Sequence, residues 1–142
     1  GRDMTTTLNI GVPTRDIAYG TVQAITKVVL FSTPQASTAD TIAIGKLPAH
    51  SQIVSCIVRI TEVFNAATTN VLTVGTSAGS NADVISDADL SEGVTGTTVG
   101  TRGCDLSFSA DTTIYAKYTQ TGTAATTGRA VITVLYVATA NG

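Results

Sequence analysis

Apolar residues in this chain recur at every second position in short runs, and clusters of turn residues separate the runs. Residues 22–31, 40–47, 52–64, 70–75, 105–109, 113–120 and 129–138 each read as a β-strand on this pattern. In the last run Ala130, Ile132, Val134 and Tyr136 alternate with Val131, Thr133, Leu135 and Val137. Both rows are largely apolar, which predicts a central strand. In 52–64, Val54, Cys56, Val58, Ile60 and Phe64 share one face, while Ser55, Arg59 and Thr61 lie on the other. Ile53, Ile57 and Val63 make that second face partly apolar, so it is expected to pack on another sheet or subunit. In 70–75, Val71 and Thr73 oppose Leu72 and Val74.

Turn chemistry punctuates these runs. Residues 32–40 hold Ser, Thr, Gln and Pro34, and Pro48-Ala49-His50-Ser51 forms a second turn. Residues 65–69 and 121–128 have the length of connecting loops. Residues 76–104 form a long, glycine-containing excursion in which only 82–90 has the makings of a short helix. Seven to eight strands at this spacing predict an all-β fold, a two-sheet sandwich occupying residues 21–142 as one domain. Residues 4–20 are polar, carry Pro13 and show no sustained alternation, which predicts an extended N-terminal arm. Gly1-Arg2-Asp3 ahead of Met4 reads as an expression remnant.

Composition sharpens the picture in two ways. Threonine makes up roughly one residue in five, with abundant Val and Ile, a mixture suited to pleated strands. Charged residues are only 13% of the chain, and eight Lys+Arg against ten Asp+Glu leave a net charge of -2. No basic footprint for a phosphate backbone results, so nucleic acid is not an expected partner. No apolar run reaches the ~18 residues of a helical membrane span, so a membrane is not expected either. Low charge and a two-sided apolar strand suit burial against identical neighbours.

Candidate chemistry is sparse. Gly75-Thr76-Ser77-Ala78-Gly79 matches the G-x-S-x-G nucleophile elbow, but Gly79-Ser80-Asn81 is a turn where a helix should start. The single histidine, His50, precedes the serine, whereas that fold places its histidine after it. No enzyme is expected. Asp87-x-Asp89-x-Ser91 copies the first ligands of a calcium loop, so Asp87 and Asp89 are weak cation candidates. Glu92 stands where that loop needs glycine, and Thr98 where it needs a bidentate glutamate. The expected cofactor set is therefore empty. Cys56 and Cys104 are expected to be reduced, although an oxidising medium would allow a bridge between them.

The stretch Thr41-Ile42-Ala43-Ile44-Gly45-Lys46-Leu47-Pro48-Ala49-His50-Ser51-Gln52-Ile53-Val54, with Val63-Phe64-Asn65-Ala66 and Val71-Leu72-Thr73-Val74-Gly75-Thr76, carries a resemblance. It resembles the capsid decoration or cement proteins of tailed bacteriophages, which include head-fibre relatives. There a strand enters a Leu-Pro-Ala turn, a long strand ends in Phe-Asn-Ala, and a Leu-x-Val-Gly-Thr strand leads into a variable loop. The match covers about residues 40–100, and His50-Ser51 departs from the small or apolar residues usual after Leu-Pro-Ala.

The resemblance implies a jelly-roll-like β-sandwich that decorates and cements a phage capsid as a symmetric oligomer, a homotrimer. Its partners would be copies of itself and the major capsid protein. Its location would be the capsid surface of the virion, after synthesis in the host cytoplasm. Val12, Pro13, Ile17 and Tyr19 of the arm, with Pro48 and His50 of the turn, are then the expected capsid or subunit contacts. The alternative is a receptor- or glycan-binding module of a tail or head fibre, with Tyr115, Tyr118, Tyr136 and the loop carboxylates as its site.

Overall fold

The computed structural model of the protein describes residues 21–32, 41–79 and 81–138; the expected arm, 4–20, lies outside them. Seven strands occur among the described residues: β1 (Val22–Leu30), β2 (Thr41–Leu47), β3 (Gln52–Glu62), β4 (Thr69–Gly75), β5 (Gly96–Gly100), β6 (Thr112–Thr121) and β7 (Arg129–Val137). They form two antiparallel sheets, ordered β1-β7-β3-β5 and β2-β6-β4. Consecutive strands alternate between the sheets, and the first strand lies beside the last. This is a jelly-roll-like β-sandwich, and the strand expected to be central, β7, lies between β1 and β3.

The core lies where the inner rows of the two sheets meet. Ala130, Ile132 and Val134 of β7 face Leu72 and Val74 of β4 and Ile114 and Ala116 of β6 across it, all fully buried. Each large aliphatic side chain removed from water in this way contributes about 1.5–3 kcal/mol. Phe64 closes one end of the core, its ring centroid 4.7 Å from that of Tyr118. The turn that follows is tied down by two asparagines. Asn65 accepts from the Thr126 and Thr127 amides at 2.8 and 3.0 Å, and Asn70 accepts from the Ala66 amide at 2.9 Å. The Phe-Asn-Ala motif thus locks the β3–β4 turn to the β6–β7 loop.

Three expectations are corrected. Residues 82–90 do not form a helix: Val84 and Ile85 hydrogen-bond with Val74, leaving only a 3-10 turn at Asp87–Asp89. Residues 105–109 are not a strand, because the Leu106 amide completes a 3-10 turn onto Gly103 and the Phe108 carbonyl accepts from the His50 amide. Val54 leaves the core row assigned to it. A bulge between Ile53 and Ser55 shifts the register, so that Ile53 is buried and Val54 is 41% exposed.

Candidate functional site

The described surfaces differ sharply in chemistry. On the outer side of the three-stranded sheet, β6 presents Thr113, Tyr115, Lys117 and Thr119, opposite the buried row of Ile114, Ala116 and Tyr118. The four-stranded sheet is different. β7 turns Val131, Thr133, Leu135 and Val137 outward, and in register with them β1 presents Val22, Ala24, Thr26 and Val28. On the far side of β7 come Ile57 and Arg59 of β3, then Val99 and Thr97 of β5. The result is an aliphatic and threonine face with Arg59 among its strands and Arg129 at one end of it.

The turn between β2 and β3 sits at one end of the sandwich. The Ala49 amide donates to Asp111 at 2.9 Å and the His50 amide to the Phe108 carbonyl at 2.6 Å. Ser51 closes the turn by donating its hydroxyl to the Pro48 carbonyl at 2.7 Å. His50 has φ 66°, left-handed backbone in an exposed, non-glycine residue. Val22, Val137 and Gln52 lie in register across three strands, so the chain enters β1 at this same end. Pro48 and His50 are therefore exposed at the end of the sandwich where β1 begins, while Val12, Pro13, Ile17 and Tyr19 lie outside the described residues.

The other candidates are held by local structure. Both Asp89 oxygens accept from the Arg102 guanidinium, at 2.8 and 2.9 Å, and one also accepts the Ser86 amide. The Arg102 hydrogen bonds hold the Asp89 carboxyl down at about 2. Asp87 is exposed, and among the described residues no three His, Cys, Asp or Glu side chains are grouped for a metal. Because the folded pKa is depressed, the Asp89 contribution to stability is complete above the unfolded value near 3.9 and is lost as pH falls toward 2. Asp89→Asn is expected to flatten that stretch of an acid-unfolding curve and to lower the neutral melting temperature by the same small amount, small because the pair is solvent-screened.

Ser77 is exposed, and its hydroxyl accepts from the Gly79 amide at 3.2 Å. The three tyrosines do not converge. Tyr118 and Tyr136 are buried, with the Tyr118 hydroxyl donating to Asn70 at 2.6 Å, and only Tyr115 lies on an outer face. Both cysteines are free thiols. Burial pushes the Cys56 thiol up to about 12, while Cys104 lies in the partly exposed turn beside β3 and donates to the Val54 carbonyl. In native protein at pH 8, iodoacetamide should therefore modify one thiol, Cys104, and in denaturant two; equal native reaction at both would contradict the burial of Cys56.

No family model matches the chain, and no curated protein matches it. Solved structures do. A chain of the cyanophage Pam1 capsid asymmetric unit superposes with a TM-score of 0.64 at 21% identity, over 90% of this chain and 91% of that one. A chain of the acid-stable capsid of Helicobacter pylori bacteriophage KHP30 superposes with a TM-score of 0.57 at 12% identity, over 84% and 90%. The fold is shared with phage capsid chains. At these identities the likeness is one of strand order and packing, and it extends over nearly the whole length of each partner.

The apolar second face of β3, with Arg59 on it, is legible in the sequence; that β1, β5 and β7 continue this face is not. Glu92 is a site the sequence does not reveal. This buried side chain accepts the Leu72 amide at 2.8 Å along the free edge of β4, next to the Val74–Ile85 bridge. Its place in the calcium-loop pattern is unrelated to this role, because the contact spans twenty residues and leaves no local signature.

Proposed function

We propose that this chain is a non-enzymatic structural protein of a phage virion, which decorates and cements the capsid as a homotrimer bound to the major capsid protein. The observation that carries the reading is the near end-to-end match of its jelly-roll-like sandwich to phage capsid chains. The surface chemistry fits such a role. An aliphatic sheet face and an end bearing the Pro48–His50 turn offer two separate docking areas, and a cement protein gains attachment by engaging several neighbours at once. Each contact can then be weak while the total is strong.

Immunogold labelling of phage particles whose genome encodes the chain tests this reading. Label on the outer surface of heads is the expected result. Label confined to tails would move the assignment to the receptor- or glycan-binding alternative, and particles without label would overturn both.

A further inference from the structure

The four edges of the two sheets differ in how they are protected. β1 carries Lys27 in mid-strand, and β2 carries Lys46 and a bulge between Ala43 and Gly45. The β4 edge is plugged by the Glu92 carboxylate and the bridge to Ile85. Lysines, bulges and covered amides are the usual means by which an edge strand is kept from accepting another strand. β5 has none of them. Gly96-Thr97-Thr98-Val99-Gly100 carries no charge and no proline, and it pairs with β3 without a register shift. On its other side, its amides and carbonyls have no hydrogen-bond partner among the described residues.

There is also room for a strand beside it. Open hollows run along β5, one against Gly100, Arg102 and Asp105 and the other against Ile60, Val94 and Gly96, with Asp89 bordering both. Val94 at 64% and Val99 at 62% are the most exposed large apolar side chains among the described residues, and both line these hollows. We infer that the β5 edge is an interaction surface for β5 of a second copy, the two strands pairing antiparallel about a two-fold axis through Thr98. In that register Thr98 lies opposite the partner's Thr98, Thr97 opposite the partner's Val99, and Gly96 opposite the partner's Gly100.

The strand is its own complement in this arrangement. β-branched residues face each other at its three central positions, glycines meet at its ends, and no like charges oppose. A foreign extended segment would take its specificity from side-chain pockets. The β5 edge offers instead open hollows lined largely by polar residues. Pairing consumes both β5 edges, and the β1 edges left at the outside of the joined sheet carry Lys27, so the contact closes at two copies. Five residues a side fall well short of the about 800 Å² that each partner gives to a stable complex. The contact therefore forms and breaks with concentration. It goes beyond the proposed function and is independent of it, because it joins two units whether each is a monomer or a trimer built through other surfaces.

Light-scattering mass of the full chain over a dilution series should approach twice the dilute value as concentration rises. Two double variants that differ in one residue test the register. Thr97→Glu with Val99→Lys sets opposite charges against each other across the axis and should keep the doubling. Thr97→Glu with Val99→Glu sets carboxylates against carboxylates and should weaken the association at least about tenfold. Both positions are exposed, and Thr97 lies opposite Arg59 within the chain, so both variants should keep the sandwich folded. A cross-link reads the same contact even where it is brief. In a Cys104→Ser background, Thr98→Cys should form an intermolecular disulfide in aerated buffer at least about tenfold faster than Thr113→Cys on the outer side of the other sheet, because opposed residues of an antiparallel pair lie about 5 Å apart.

Equal cross-linking at positions 98 and 113 would overturn the inference. A doubling of mass equally strong in the two double variants would overturn it as well, by placing the contact on another surface. Gold label on phage heads would stand in either case, so failure of this contact is distinguishable from failure of the functional reading.

Discussion

Phe64→Ala is expected to lower folding stability by about 3–5 kcal/mol, the usual cost of emptying an aromatic site in a packed core. Phe64 is 2% exposed, packs against Tyr118 and lies two residues beyond the end of β3. Its ring also fills the space beside Gly128, whose φ of 147° belongs to a region that side-chain-bearing residues rarely enter. A methyl group at position 128 would meet the ring directly. Gly128→Ala should therefore be costly twice over, through backbone strain of about 1–3 kcal/mol and through displacement of Phe64. Combining the two substitutions separates these causes. With the ring gone the collision is relieved and only the strain remains, so the double variant should be more stable than the sum of single losses predicts, by about 0.5–3 kcal/mol. Urea unfolding of the four proteins measures this; strict additivity would mean that ring and glycine are uncoupled.

The second large effect is expected at Glu92. Removing its carboxylate with Glu92→Ala leaves the Leu72 amide without its acceptor at a buried strand edge, which costs about 1–3 kcal/mol. Glu92→Gln keeps an acceptor oxygen and discards the charge. Burial raises the Glu92 pKa above its ordinary value, and the Leu72 amide offsets this only in part. The folded state thus holds the proton more tightly than the unfolded chain. Stability of the natural protein should fall as pH rises from about 4.5 through the raised folded value. Glu92→Gln should lack that fall, matching the natural protein near pH 4.5 and exceeding it at neutral pH. A glutamine variant less stable than the natural protein at pH 7 would show that the carboxylate charge is favourable where it sits.

The core and the β4 edge differ in how far the sequence reveals them. Alternation over 129–138 separates the two rows of β7 and marks the strand as central, but because both rows are largely apolar only the structure shows that Ala130, Ile132, Val134 and Tyr136 form the inner one. Alternation fails where the register slips. The bulge after Ile53 is invisible to a period of two, and so the pattern places Val54 in the wrong row. β5 carries no such signal, because Gly96-Thr97-Thr98-Val99-Gly100 holds a single large apolar residue and owes its pairing to β3. Residues 82–90 are the one stretch of the excursion with the makings of a short helix, yet Val84 and Ile85 bond to Val74 instead. Of the expected contact residues, Pro48 and His50 are legible as a turn. Their position beside the start of β1 follows only from the strand order.

The edge of β4 has one more consequence. A strand edge with free amides and carbonyls is a template on which another chain can add a strand and begin a fibril. Here the outward amides of Leu72 and Val74 are already taken, one by a side chain and the other by a two-residue bridge. Neither partner is a full strand, so this closure presents no complete new edge of its own. Copies of the chain can therefore meet in solution with this stretch of the β4 edge already closed to strand addition.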